Sequence, residues 1–207
     1  VYASGGNINL SSTFASTGVN ATFSDVAFQA LNSTIKTIGT GAITITGDAN
    51  NHNDSSILAI DGVVLAGTTL IQSEYGDITI TGTSAKQATS NTKGISINNT
   101  NVKILSASGD IALSSMKADG FTGTGTYNGI YLRPNSSASL YLGSDGSTVL
   151  TNSSSASSSN ISIISDKVLF DQNGIYKTVL NTSGDIILES VNTSFDTAVN
   201  TSNLNVE

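Results

Sequence analysis

The stretch Gly76-Asp77-Ile78-Thr79-Ile80 recurs along this chain of 207 residues in six similar copies. Each copy begins with a glycine, followed by a small, polar or acidic residue. Three more residues follow, and the first and third of these are aliphatic in most copies. The copies begin at Gly6, Gly41, Gly76, Gly109, Gly146 and Gly184, so the intervals are 35, 35, 33, 37 and 38 residues. A period of about 20–50 residues is typical of solenoid proteins. The pattern therefore predicts stacked repeats.

One repeat contains three candidate strands. Between Gly76 and Ser108, apolar and polar residues alternate in 77–81, 94–97 and 102–105, and turn-forming residues separate these runs. Alternation with a period of two residues is typical of β-strands. We therefore predict an all-β fold, a parallel β-helix (β-solenoid) of about five to six coils of roughly 35 residues with three strands per coil. The whole chain, 1–207, is expected to form a single β-helical segment.

Alignment of the copies predicts which side chains form the core. Parallel coils stack about 4.8 Å apart, so equivalent residues should form continuous inward ladders, with the threonines between them facing outward. The first ladder is predicted to contain Ile8, Ile43, Ile78, Ile111, Thr148 and Ile186. The second is predicted to contain Leu10, Ile45, Ile80, Leu113, Leu150 and Leu188.

Two regions depart from a simple repeat. Between Thr151 and Asn173 the runs Ile161–Ile163 and Val168–Phe170 look like an extra pair of strands, which predicts an enlarged or irregular coil, and the next second strand is expected at 174–176. The chain also starts and stops in mid-pattern, at Tyr2–Gly5 and Asn203–Glu207. We interpret it as part of a longer repetitive protein.

Composition excludes several classes of function. The formal net charge is −7, only 11% of the residues are charged, and the basic residues are scattered, which argues against binding to nucleic acid or to anionic membranes. No apolar run approaches the roughly 20 residues needed to cross a bilayer, so membrane insertion is not expected. The absence of cysteine excludes disulfides and thiolate metal sites.

The Gly-Asp pairs are candidates for a metal site. Asp77 and Asp110 should lie one above the other, and stacked carboxylates are oxygen ligands of the kind that calcium prefers. The alternative, which we favour, is that aspartate suits a corner because its side chain hydrogen-bonds to its own backbone. The same column also contains Asn7, Ala42 and Ser147, which calcium would not need. No cofactor is expected, with calcium as the lesser alternative.

Catalytic chemistry has little support in the sequence. The single histidine, His52, lies in an Asn-rich loop with Asp48 and Asp54, where a solvated histidine is the more common situation than a metal or acid–base site. Arg133 is the only arginine and only three glutamates are present. No nucleophile motif, phosphate-binding loop or metal-ligand spacing occurs. The chain is therefore predicted not to be an enzyme.

A possible ligand patch lies near the single proline. Tyr127, Tyr131 and Tyr141 are close in sequence to Arg133, and outward-facing tyrosines can stack on sugar rings. The alternative is that these tyrosines only cover the face of a strand.

The pattern as a whole resembles a known family. Repeated Gly-Asp-Ile-Thr-Ile-Thr phrases with Gly-Ile-Ser-Ile partners, the lack of cysteine, and Ser, Thr and Asn elsewhere are similar to the shaft of filamentous-haemagglutinin-like adhesins. These are large exoproteins that Gram-negative bacteria export by two-partner secretion. The resemblance implies a right-handed parallel β-helix that is secreted or attached to the cell surface. The Asn-Pro-containing motifs of the family's secretion domain are not seen.

The expected function is that of a non-enzymatic adhesin segment, a rod that presents loops to a host or neighbouring cell, a glycan or a matrix. The presenting loops are predicted at 82–93, 119–128 and 151–160. One alternative is a structural surface-layer or fibre protein that self-associates. Another is a phage tail fibre or a β-helix that binds or degrades glycans.

Overall fold

The computed structural model describes residues 1–14, 25–51, 60–151, 154–192, 194–195 and 202–207. Within these residues the named strands all pair in parallel, and they form three sheets. None of these residues belongs to a helix that could span a membrane. The protein is thus an all-β solenoid, as predicted.

Each sheet collects one strand from every coil. Sheet A has seven strands, in the spatial order β1 (Tyr2–Ser4), β4 (Thr34–Ile38), β7 (Leu70–Ser73), β10 (Lys103–Ser106), β13 (Leu140–Gly143), β16 (Thr178–Asn181) and β18 (Leu204–Val206). Sheet B has six strands, β2 (Ile8–Thr13), β5 (Ile43–Asp48), β8 (Ile78–Thr83), β11 (Ile111–Met116), β14 (Ile161–Ile164) and β17 (Ile186–Glu189). Sheet C has five strands, β3 (Asp25–Leu31), β6 (Ile60–Ala66), β9 (Ile95–Thr100), β12 (Ile130–Pro134) and β15 (Val168–Phe170).

The chain passes from sheet B to sheet C to sheet A and then returns to sheet B one layer higher. Three strands per coil were predicted, and this is confirmed. The first and last strands of sheet C are about four turns apart, slightly fewer than the five to six coils expected from the sequence. We use "up" for the direction from the N-terminal to the C-terminal coils.

Inward side chains of sheet B stack in register. The pairs run from Ile8 through Ile43 and Ile78 to Ile111, and the neighbouring column runs through Leu10, Ile45, Ile80 and Leu113. From Ile43 upward these isoleucines are fully buried, and they belong to one apolar cluster that fills the solenoid. The outward Thr44, Thr46, Thr79 and Thr81 are half-exposed. Burial of this branched aliphatic area is the main stabilising contribution to each coil.

The ladder above Ile111 differs from the prediction. Ile161 pairs with Ile111 and then with Ile186, while Ile163 pairs with Leu113 and Leu188. Thr148 and Leu150 are therefore not ladder residues, and that part of the prediction is wrong. The phrase at Gly146 has the repeat's spacing, but it lies in an insertion outside the sheet.

This correction changes the coil lengths. From Ile111 to Ile161 the coil has 50 residues, because 144–160 are inserted between sheets A and B, and from Ile161 to Ile186 it has only 25. Ile161–Ile164 and Val168–Phe170 are hence the regular B and C strands of the short coil, not an extra pair. The expected second strand at 174–176 is instead a turn closed by a bridge between Asn173 and Tyr176, with Ile175 exposed.

The glycine of the recurring phrase is required at a close approach between successive coils. A Cβ atom on Gly109 would lie 2.1 Å from the carbonyl oxygen of Gly76, and one on Gly76 would lie 2.2 Å from that of Gly41. Gly6, at the bottom of this column, has nothing within 4 Å of the same position. The repeated glycine therefore permits tight stacking of backbone on backbone at the corner between sheets A and B.

Candidate functional site

The acidic residues of the phrase form a column of hydrogen bonds at the A–B corner. The Asp77 Oδ1 atom accepts the backbone N–H of Asp110 at 2.9 Å, and Asp110 Oδ1 accepts that of Asn160 at 3.2 Å. Asn160 in turn accepts the N–H of Asp185 at 3.0 Å. Each side chain thus bonds to the backbone of the next coil, not to its own turn. The column is a structural clamp between layers.

A metal site has no geometric support in the part of the chain that is described. Among the described residues, no group of three or more His, Cys, Asp or Glu side chains could hold a metal ion. In Asp77 and in Asp110, one carboxylate oxygen already accepts a hydrogen bond from a backbone N–H group. His52 and Asp54 lie outside the described residues. Asp48 accepts the backbone N–H of Asn50 at 2.9 Å, which is a local turn contact.

The predicted tyrosine patch does not exist as one surface. Tyr127 is buried, and its hydroxyl lies 2.8 Å from the hydroxyl of Ser115. Tyr141 lies on the outer side of sheet A, where it pairs with Lys103 and Val179. Tyr131 and Arg133 lie on sheet C instead. Closeness in sequence misled the prediction because a coil passes from one face of the solenoid to another within about ten residues.

Part of the patch survives on sheet C. The Tyr131 hydroxyl donates to Asp171 Oδ2 at 2.9 Å, and Arg133 Nε lies 3.6 Å from the same oxygen. Burial, followed by the hydrogen bond to Asp171, raises the pKa of the Tyr131 phenol. The phenol therefore stays protonated and keeps donating to the carboxylate. The group places an aromatic ring, a cation and an anion together on the outer side of one sheet.

A larger feature is formed by the connections between sheets B and C. We call residues 84–94 the lower B–C loop and residues 117–129 the upper B–C loop. They pair with each other by backbone hydrogen bonds of 2.8–3.0 Å, from Thr122 N to Lys86 O, Gly125 N to Ala88 O, Thr92 N to Thr126 O and Asn128 N to Thr92 O. The two loops therefore continue the layered stacking of the solenoid out to one side.

Close contact between the loops depends on small residues. A Cβ atom on Gly125 would lie 1.9 Å from the Ser90 carbonyl oxygen, and one on Gly123 would lie 2.5 Å from Ala88 N. Outside this packed interior, a shallow cavity of about 320 Å³ is lined by Gln87, Ala88, Thr89, Thr122, Gly123 and Thr124. The lining offers hydroxyl, amide and backbone groups, and no charged group. This surface can bind through neutral hydrogen bonds and shape.

Two of the three predicted presenting loops thus form a single surface. Residues 82–93 and 119–128 lie at the same B–C corner, whereas residues 154–160, the described part of the third loop beyond Thr151, lie at the A–B corner. The sequence predicted the loops but not their pairing. The two loops have similar lengths and follow equivalent strands in successive repeats. This similarity was the signal in the sequence that could have predicted their pairing.

The sequence predicted an enlarged coil from Thr151 onward but did not locate the insertion between β13 and β14, whose described residues, 144–151 and 154–160, we call the strap. The side-chain amide of Gln72 donates to the Val149 carbonyl at 3.0 Å, so the strap reaches down across the outer side of sheet A past β10. Leu105, which is in register with Gln72, is fully buried although it lies on that outer side, and Leu150 is also buried. The apolar residue at 150 therefore packs outside the solenoid instead of inside it.

An ion pair, in which Asp145 is buried and Lys103 is 31% exposed, fastens the strap to the sheet. Lys103 Nζ lies 2.5 Å from Asp145 Oδ2, and Asp145 also accepts hydrogen bonds from Ser147 and Thr148. Burial alone would raise the pKa of Asp145, but the Lys103 ammonium and the Thr148 and Ser147 N–H groups together lower it well below its usual range. The carboxylate is therefore ionised at neutral pH and stabilises the strap.

Comparison with known proteins adds no assignment. No family model, no curated protein and no solved structure matches the chain.

Proposed function

We propose that the protein is a non-enzymatic segment of a secreted or cell-surface adhesin, a rod that presents a lateral surface to a host cell, a neighbouring cell or a matrix. The observation that carries this proposal is the pairing of the two B–C loops. They project from the solenoid as one layered surface, whose cavity is lined by neutral, hydrogen-bonding groups. A scaffold that is uniform inside and projects loops at one corner is suited to presentation.

The finer part of the proposal concerns the family. A cysteine-free parallel solenoid with Gly-Asp-Ile-Thr-Ile phrases is compatible with the shaft of a filamentous-haemagglutinin-like adhesin exported by two-partner secretion. Stacking coil on coil would let such a chain fold as it emerges. This part rests on the sequence pattern and on the solenoid architecture alone.

The chemistry of the surface favours a neutral ligand. The loop tips carry Gln87, Thr122 and Thr124, and the nearby sheet carries the Tyr131–Arg133–Asp171 group, in which the charges offset each other. Glycan hydroxyls, or the polar side chains of a matrix protein, fit these groups.

Adhesion by matched variants tests the proposal. The purified protein is immobilised on beads, and attachment to cultured cells, a glycan array and matrix proteins is measured. Alanine at Gln87, Thr122 and Thr124 should abolish attachment without changing the thermal melt. The control carries alanine at Asn9, Thr44 and Thr79 on the outer side of sheet B and should attach like the wild type.

Three results would contradict the proposal. Equal loss of attachment in both variants would show that the loops are not the binding surface. Regular polymers of the purified protein, seen by electron microscopy, would favour a structural fibre or surface layer. Release of reducing ends from a glycan panel would favour an enzyme.

A further inference from the structure

The tetrapeptide Asn-Gly-Ile-Tyr occurs twice in this chain, at 128–131 and at 173–176. Its glycine has a positive φ in both copies, 59° at Gly129 and 64° at Gly174. An Asn-Gly sequence can modify itself, because the glycine nitrogen can attack the side-chain amide of the asparagine and no Cβ atom on the glycine hinders the approach. Both copies have the same reacting groups. A difference in reactivity between them must therefore come mainly from the surrounding structure.

The first copy is enclosed between layers at the corner between sheets B and C. Asn128 is only 9% exposed, and its N–H donates to Thr92 O at 2.9 Å. The Gly129 carbonyl accepts two backbone N–H groups of the coil below, at 2.9 and 3.2 Å. A Cβ atom on Gly129 would lie 1.9 Å from Lys167 O in the coil above. The attack requires the peptide group between Asn128 and Gly129 to rotate, and the packed layers on both sides prevent this rotation.

The second copy forms an exposed turn between β15 and β16. Asn173 N donates to Tyr176 O and Tyr176 N donates to Asn173 O, both at 3.2 Å, and these two bonds close the turn. Its tip consists of Gly174 and Ile175, and Ile175 is 85% exposed. Nothing lies within 4 Å of the position that a Cβ atom on Gly174 would take, and no described residue accepts a hydrogen bond from the Gly174 N–H. The tip therefore has room to rotate, and water and hydroxide reach it.

We propose that Asn173 is a site of spontaneous deamidation in the folded protein and that the fold protects Asn128 from the same reaction. The Gly174 nitrogen attacks Asn173 Cγ and forms an N–C bond, the Cγ–Nδ2 bond breaks, and Nδ2 leaves as ammonia with the hydrogen of the Gly174 N–H. The product is a cyclic succinimide. Water then adds to either carbonyl of the ring and breaks its C–N bond, which gives isoaspartate or aspartate at position 173. The net reaction consumes one water molecule and releases one ammonia molecule.

The modification changes the turn without entering the core. Either product carries a carboxyl group that is ionised at neutral pH, so the protein gains one negative charge. In isoaspartate the backbone runs through Cβ and Cγ and is one carbon atom longer, so the reciprocal hydrogen bonds between positions 173 and 176 lose their geometry. No residue of 173–176 belongs to the buried apolar cluster that fills the solenoid. The coils should therefore remain folded after the reaction.

The test follows both asparagines in one sample of the full chain. The purified protein is incubated in mildly alkaline buffer, and its proteolytic peptides are analysed by mass spectrometry with electron-transfer fragmentation, which distinguishes isoaspartate from aspartate. Asn173 should be lost at least about tenfold faster than Asn128, because Asn128 reacts only after its corner opens. In concentrated urea the two sites should react at similar rates, since unfolding exposes both copies of the tetrapeptide.

Two variants of the turn identify the attacking group. Gly174→Asn is compatible with the positive φ, since asparagine adopts this conformation more readily than other residues with a side chain. Its Cβ atom hinders the attack and should slow the loss of Asn173 at least about tenfold while the thermal melt stays the same. Ile175→Ser changes the exposed neighbour, keeps the Asn-Gly sequence and should react like the wild type.

Three results would overturn the proposal. The first is an intact Asn173 in the folded protein after a time in which the urea-unfolded chain has reacted. The second is an equal rate of loss at Asn128 and Asn173 in the folded protein, which would show that the fold does not select between them. The third is aspartate without isoaspartate at position 173, formed equally fast in Gly174→Asn, which would indicate direct hydrolysis of the side chain and not attack by the glycine nitrogen.

Discussion

The coils from β5 to β13 and the coil from β14 to β16 share one ladder but differ in what surrounds it. In the lower region Ile43, Ile78 and Ile111 are 35 and 33 residues apart, whereas Ile161 and Ile186 are only 25 apart. The inward register is nevertheless continuous. The difference shows that corner connections can be lengthened or shortened without changing the core, because they contribute no residue to the ladder.

The last layer of sheet B differs from both regions in burial. The ladder residues from Ile43 to Ile163 are fully buried, while Ile186 and Leu188 in β17, the end strand of that sheet, are half-exposed. Only one neighbouring strand pairs with β17, so the last layer should open before the coils below it.

The largest effect is expected from a charge in the lower ladder. Ile78→Asp places an unpaired carboxylate in a fully buried position, which should cost more than about 4 kcal/mol and prevent cooperative folding. Thr79→Asp, on the half-exposed outer side of the same strand, is the control and should melt close to the wild type. Far-UV circular dichroism during heating distinguishes the two, and a wild-type melt for Ile78→Asp would contradict the inward assignment.

A cavity should cost more in the lower region than in the last layer of sheet B. Ile80→Ala should destabilise by about 3–4 kcal/mol because its site is completely buried. Leu188→Ala should cost about half as much, since water already reaches that side chain. Urea unfolding measures both values, and equal losses would mean that the last layer is as well packed as the lower region.

Backbone stacking at the A–B corner can be tested with one methyl group. Gly109→Ala should destabilise by about 2 kcal/mol, because its Cβ atom would overlap the Gly76 carbonyl. Gly6→Ala is the matched control in the same column, where nothing lies within 4 Å, and its stability should be unchanged. Thermal melts of the two variants would refute the close approach if they were the same.

The strap between the two regions should give a smaller, pH-dependent effect. Asp145→Asn keeps an acceptor for the turn but removes the charge paired with Lys103, and should cost about 1–2 kcal/mol at pH 7. The pKa of Asp145 is lowered in the folded protein, so this stability is fully present above the unfolded pKa of about 3.9 and is lost as the pH falls further.

Unfolding free energies of the wild type and of Asp145→Asn should therefore differ by a constant amount between pH 6 and 8 and converge below about pH 4. A difference that grows on acidification would contradict the sign of this pKa shift. Lys103→Met, which removes the other partner, should lower stability at pH 7 as well.

Much of the fold follows from local pattern. Period-two alternation located most strands, and the 33–35 residue interval gave the register of the ladder from Ile8 to Ile111. The prediction failed at Gly146 because the phrase there has the same residue types and the same spacing as the phrases that do form the ladder. Whether such a phrase lies inside or outside the solenoid depends on which segment forms the next layer of sheet B. Here the segment that begins at Ile161 forms that layer.

The candidate sites were less predictable. The sequence placed Asp77 and Asp110 correctly in one column, but only the stacked coils revealed that each carboxylate accepts an amide of the layer above. Proximity in sequence grouped Tyr127, Tyr131 and Tyr141, and the structure distributes them over the interior and two sheets. Pairing of the two B–C loops depends on contacts between residues more than 30 positions apart.

The sequence by itself determined that this protein is a parallel solenoid with aliphatic ladders, because alternation and a fixed period are properties of neighbouring residues and of repeated spacing. Only the tertiary structure decided where the ladder continues after Ile111, that the described residues of the strap lie outside it, and that the two B–C loops pair with each other. Those features depend on which layers meet in space, and a linear pattern does not specify this when coil lengths vary from 25 to 50 residues.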